Sequence, residues 1–128
     1  MPFFEEKGRL IGLKGRASIV RDQLVHKLEK SLGGKVKAFK SGPTKTKTIG
    51  IITGGAGAEI YRVAEDNIDT FITGEAPHWA AVAADELSMN LLLGGHYATE
   101  AFGVKALGAH LAERFNISWT FIDRPTGM

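Results

Sequence analysis

Leu91-Leu92-Leu93-Gly94-Gly95-His96-Tyr97-Ala98-Thr99-Glu100 runs from an apolar tract through two glycines into a long amphipathic segment. That pattern is a buried strand handing over to a helix. His96 and Glu100 are four residues apart, one helical turn, so an imidazole and a carboxylate can converge where the strand ends. Such a pair suits a divalent-metal or acid–base site. It equally suits a surface i,i+4 couple worth only ~0.2–0.5 kcal/mol. Two ligands do not complete a metal site, so the rest of the chain must be searched for others.

Upstream of this junction the same grammar repeats. Thr48-Ile49-Gly50-Ile51-Ile52-Thr53 is a β-branched run that ends in Gly54-Gly55-Ala56-Gly57, after which Ala58 to Asp66 has a helical pattern. Thr70-Phe71-Ile72-Thr73 is a second short strand; Gly74-Glu75-Ala76 then leads to Pro77, a good first-turn residue, and a helix through about Leu87. Asn90 to Leu93 is the third strand. Beyond it Val104, Leu107, Leu111 and Phe115 form one helical stripe, Ile117 to Ile122 reads as a last strand, and Asp123 to Gly127 as a turn-rich tail. Strands alternating with helices predict an α/β fold, a mixed sheet with helices packed on its faces. In such sheets function collects at the carboxyl ends of the strands. Three of those ends carry polar or glycine-rich signals, at Thr53-Gly54-Gly55, Thr73-Gly74-Glu75 and Gly94-Gly95-His96.

The first third has a different character. Residues 8–16 read as a strand or extended arm. Ser18 reads as an N-cap for a helix carrying Ile19, Val20, Leu24, Leu28 and Leu32, which Gly33-Gly34 ends. Lys35 to Lys40 alternates basic and apolar like a half-exposed strand, and Ser41 to Lys47 is a polar loop. Residues 1–48 hold twelve Lys/Arg against four Asp/Glu, whereas residues 49–128 hold four against ten. The basic segment could track phosphates or nucleic acid through Lys35, Lys37 and Lys40. With only Phe39 among those charges, the sequence favours a solvated face instead.

With 128 residues, 44% of them hydrophobic and 23% charged, the chain has the size and composition of one soluble domain, 1–48 basic and 49–128 alternating. No apolar run approaches the ~20 residues that span a bilayer, so no membrane partner is expected. The N-terminus lacks the basic and apolar regions of a signal peptide, and a cytoplasmic location is the default expectation. With no cysteine, disulfides and thiolate metal sites are excluded.

The remaining candidates carry competing readings. The glycines at 54–57 could present amides to an anion, but they match neither phosphate-binding fingerprint, and a tight βα turn is the favoured reading. Glu75 could serve a site or cap the following helix, where the dipole favours a negative charge. His78 could reach a metal or other ligand shared with Glu75, but beside Trp79 it leans structural; His26 and His110 lie within amphipathic helices and are set aside. Thr99 could cap a helix or support a ligand by a hydrogen bond.

Three elements together resemble the C-terminal half of the NIF-three-like family: Ala76-Pro77-His78-Trp79 after Thr73-Gly74-Glu75, Gly95 to Glu100, and Phe121-Ile122-Asp123-Arg124-Pro125-Thr126. Its members are dinuclear-metal-centre proteins often labelled GTP cyclohydrolase I type 2 homologues. The resemblance is strong from Ile49 to the end and weaker over the basic third. It implies a mixed α/β fold, a homo-oligomer in the form of a ring-shaped hexamer, and a pair of divalent metal ions, with Zn, Fe, Mn and Mg undistinguished. It also implies hydrolase-like chemistry on a small phosphorylated or nucleotide substrate. Carried over, His96 and Glu100 match two metal ligands, Glu75 matches an acidic position near the site, and His78 has no firm counterpart. The family's other ligands, an adjacent histidine pair and an aspartate, come from an N-terminal half. This chain has no His-His and resembles a half-length member or a fragment. It is not expected to turn over substrate alone. The competing expectation is a non-catalytic, oligomer-forming assembly module.

Overall fold

The three apolar tracts expected to be buried strands form the centre of one sheet. The computed structural model describes residues 1–126, so the Gly127 end of the expected tail lies outside the described residues. In chain order the elements are β1 (Pro2–Glu6), β2 (Arg9–Val20), α1 (Arg21–Leu32), β3 (Lys37–Lys40) and β4 (Lys45–Ile51). After a 3₁₀ turn at Ala56–Glu59 come α2 (Ile60–Glu65), β5 (Thr70–Thr73), α3 (Trp79–Glu86), β6 (Asn90–Leu93) and α4 (His96–Phe115). The sheet is mixed, in the order β1-β2-β4-β5-β6-β3. Strands β4, β5 and β6 are parallel neighbours, and the outer strands pair antiparallel.

Every residue of β5 is buried, because it is central and covered on both faces. Phe71 pairs with Leu91 and packs on one side with Ile60, Val63 and Ala80, forming the main core beneath α2 and α3. Ile72 and Leu92 point to the other side, where the amphipathic stripe of α1 (Leu24, Val25, Leu28, Leu32) is only half buried. Helix α4 leans on the rest of the fold through its first two turns, its buried residues being Thr99 and Ala101. Among the described residues, no helix is long and apolar enough to cross a membrane.

Four local expectations are corrected. Residues 2–6, given no element by pattern, form a hairpin with β2 through Lys7 and Gly8, whose φ values of 50° and 76° are those a tight hairpin turn requires. Ser18 is not an N-cap. The β-branched Ile19 and Val20 pair with Thr46 and Lys45, so β2 runs on past a register shift between Arg16 and Ile19, and α1 starts at Arg21. That same pairing recruits Lys45 to Lys47 of the expected loop into β4. Finally, residues 117–122 join no strand of the sheet.

Asn90, fully buried at the start of β6, locks the connection between β3 and β4 to the parallel core. Its carbonyl accepts from the Gly42 N–H at 3.1 Å and the Arg21 guanidinium at 3.3 Å. Its amide donates to the Pro43 carbonyl at 3.0 Å and the Thr70 hydroxyl at 3.1 Å. Asn90→Ala strands several of these groups away from water. A loss of about 2–4 kcal/mol is expected in urea unfolding. A loss below about 0.5 kcal/mol would show that water replaces the network.

Candidate metal centre

The ladder of the parallel strands continues past their carboxyl ends as loop-to-loop hydrogen bonds. The Gly54 carbonyl, beyond β4, accepts from the N–H groups of Gly74 (2.9 Å) and Glu75 (3.1 Å) and from the Thr73 hydroxyl (3.1 Å). The Gly94 and Gly95 amides in turn donate to the carbonyls of Thr73 (2.9 Å) and Gly74 (2.8 Å). Thr99, one turn into α4, closes the set: its hydroxyl accepts from the Gly54 N–H at 3.0 Å and lies 2.9 Å from the Gly95 carbonyl. Three loops and one helix are thereby held in a single arrangement.

That arrangement brings Glu75, His96 and Glu100 together. His96 Nδ1 is 2.8 Å from Glu75 Oε1, and His96 Nε2 is 3.2 Å from Glu100 Oε1. Gly95, with φ of 90°, makes the turn that puts His96 at the first position of α4. Gly54, with φ of 72°, leaves room for Glu100, whose carboxylate any β-carbon at that position would meet. The side chains of His96, Glu75 and Glu100 are 37%, 50% and 57% exposed, so the cluster is open to ligands from outside.

Glu75 does not cap α3; that helix starts without a side-chain cap, and the carboxylate turns to His96 instead. His78 sits exposed at the N-terminus of α3, with no hydrogen bond or ion pair to the cluster among the described residues. The glycine loop is a tight turn: the Gly54 amide is engaged by Thr99 and the Gly57 amide donates to the Glu75 carbonyl at 3.1 Å. What pattern reading missed is the Gly54 carbonyl, since no side chain signals a backbone acceptor.

Two donors each ~2.1 Å from one tetrahedral ion lie about 3.4 Å apart. The 3.2 Å between Nε2 and Oε1 is close to that separation, and Glu75 on Nδ1 is the carboxylate–histidine pairing that orients a ligating imidazole. Among the described residues, however, no three His, Asp or Glu side chains are grouped to hold a metal. The donor set therefore fits two positions of a divalent-metal centre and no more.

These features define an α/β protein presenting a histidine–carboxylate cluster at the carboxyl ends of its parallel strands. The chain belongs to the Duf34/NIF3 (NGG1p interacting factor 3) family, whose model matches residues 3–127 and so extends across the basic third. It is 41% identical to a GTP cyclohydrolase 1 type 2 homolog of Yersinia pestis, over 80% of this chain and 42% of that protein. It is 36% identical to the Pyrococcus horikoshii protein of the same name, over 99% and 52%. The solved structure of the protein ybgI, described as of unknown function, superposes with a TM-score of 0.85 at 30% identity, covering 92% of this chain and 49% of that one. The chain spans about half the length of the curated relatives it matches.

The hydrogen bond from Glu75 raises the pKa of His96 above 6.5; partial desolvation opposes this, and the Glu100 charge adds to it. A raised folded-state pKa contributes stability that is complete below pH ~6.5 and lost as pH rises through the folded value. NMR titration of the His96 ring should give a midpoint above 6.5, lowered more by Glu75→Gln than by Glu100→Gln. The reverse order would deny Glu75 the leading part.

Proposed function

We propose that the chain supplies one half of a divalent-metal centre with hydrolase-like chemistry on a phosphorylated or nucleotide substrate. The observation that carries this reading is the 3.2 Å approach of His96 Nε2 to Glu100 Oε1, with Glu75 bound to the opposite ring nitrogen. The substrate class rests on the names of the relatives, GTP cyclohydrolase 1 type 2 homologs.

His96 and Glu100 would hold the ion, which when bound supplies Lewis acidity toward a phosphoryl or carbonyl oxygen. Glu75 would accept a hydrogen bond from the Nδ1–H, leaving the Nε2 lone pair for the ion that His96 would share with Glu100. Thr99 fixes the helix start that carries both donors, and Gly54 leaves the space Glu100 occupies. Because both ring nitrogens face carboxylates, a proton on Nε2 competes with metal for the same lone pair. With two protein ligands the chain alone should bind metal weakly and turn over no substrate.

Calorimetric titration with Zn²⁺ and Mn²⁺ at pH 8 should show binding at one site, at least tenfold weaker at pH 6. His96→Ala and Glu100→Ala should each abolish it, and Gly54→Ala should weaken it by pushing Glu100 aside. Binding that survives His96→Ala, or none for any ion up to millimolar concentration, would sink the proposal.

A further inference from the structure

The register shift that lengthens β2 also opens a hollow at the amino end of β4. Arg16 pairs with Thr48 and Ile19 with Thr46, so Ala17 and Ser18 together face the single residue Lys47. A strand carrying an extra residue bends and twists away from its partner at that point. The hollow is a cavity of about 480 Å³ lined by Arg16, Ala17, Ser18, Lys45, Thr46 and Lys47. Thr46, its one fully buried lining residue, is fixed in place, because its hydroxyl donates to the Ile19 carbonyl at 3.1 Å. The rim is cationic. Arg16, Lys45 and Lys47 are exposed, and none of their side chains has an ion pair, hydrogen bond or ring contact among the described residues. The exposed Ser18 hydroxyl is likewise unengaged.

Elsewhere in the basic third the charge is neutralised: Lys14 pairs with Asp66, Arg21 and Lys40 with Asp22, and Lys35 with Glu29. The Asp69 carboxylate reaches this end of β4, but it accepts from the Lys47 and Thr48 amides and the Thr70 hydroxyl. The excess of basic residues in the first third is therefore left uncompensated around this hollow. Like charges held around one hollow repel, and an anion seated among them turns that repulsion into attraction.

We propose that the hollow is a binding site for the phosphate groups of a small phosphorylated molecule. The Arg16 guanidinium would grip two phosphate oxygens at once, with Lys45 and Lys47 as flanking charges and Ser18 as a further donor. No aromatic residue lines the hollow, so it offers the bases of a nucleic-acid strand no ring to stack on. Its volume is that of a small-molecule site. The histidine–carboxylate cluster lies at the other end of β4: at ~3.3 Å per residue, Lys47 and Gly54 are roughly 20 Å apart. Anion binding here neither needs nor blocks a metal at the cluster.

Tripolyphosphate titrated into the full chain at low ionic strength, followed by amide NMR, should shift residues 16–18 and 45–48 and saturate below millimolar concentration. Arg16→Gln and Lys47→Gln should each weaken binding at least tenfold without lowering the melting temperature, since neither side chain is engaged in the free chain. Lys27→Gln and Lys30→Gln, which remove exposed charges from α1, should leave binding unchanged. Equal weakening by the α1 variants, or shifts that spread over the basic surface without saturating, would overturn the proposal by reducing it to general charge attraction. A single-stranded oligonucleotide that shifts the same amides at lower concentration than tripolyphosphate would also overturn it, by assigning the hollow to nucleic acid.

Discussion

The hydrogen bond from the Gly54 amide to the Thr99 hydroxyl ties the first parallel strand to the last helix, and the geometry of the cluster depends on it. The bond is buried, so it is not exchanged for water at small cost. Its acceptor also leans on the carbonyl of Gly95, the residue whose positive φ starts α4. Around it the Gly54 carbonyl gathers donors from the β5 loop. A short backbone node at the edge of a sheet thus sets the position of three ionisable side chains, none of which is itself buried enough to be held by packing.

The electrostatics follow from that geometry. An imidazole between two carboxylates favours its charged form, whereas a metal requires its neutral form. In the proposed centre, proton and cation would therefore compete for one nitrogen. The basic residues of the first third take no part. Lys40 pairs with Asp22 at 2.9 Å, Lys35 with Glu29 at 3.6 Å, and Lys37 lies over the Phe39 ring.

Where burial on both faces decides structure, apolar runs were sufficient: 70–73 and 90–93 are strands within the expected limits, and the His96 helix begins where the glycines predict. Elements set by pairing between distant segments were not legible. Ser18 resembles a cap until Thr46 and Lys45 arrive to extend the strand, and Phe3 has no periodic neighbours until Gly12 makes room for its ring. The pairing of His96 with Glu100 could be read from spacing, because one helical turn joins them. That of His96 with Glu75 could not, because it depends on adjacent parallel strands ending level. The strand expected at 117–122 does not form, because an α/β strand needs a sheet to enter and no local signal supplies one.

The strand order has a consequence for how such a chain comes together. β2 lies beside β4 at one flank of the parallel core, whereas β3, only a helix later in sequence, lies beside β6 at the opposite flank. Helix α1 must therefore carry the chain across the whole sheet before the strands it crosses exist. Lys37 has no partner until Leu93 has been synthesised and placed. The β1–β2 hairpin can pair locally, whereas β3 waits for a strand about fifty residues further along the chain.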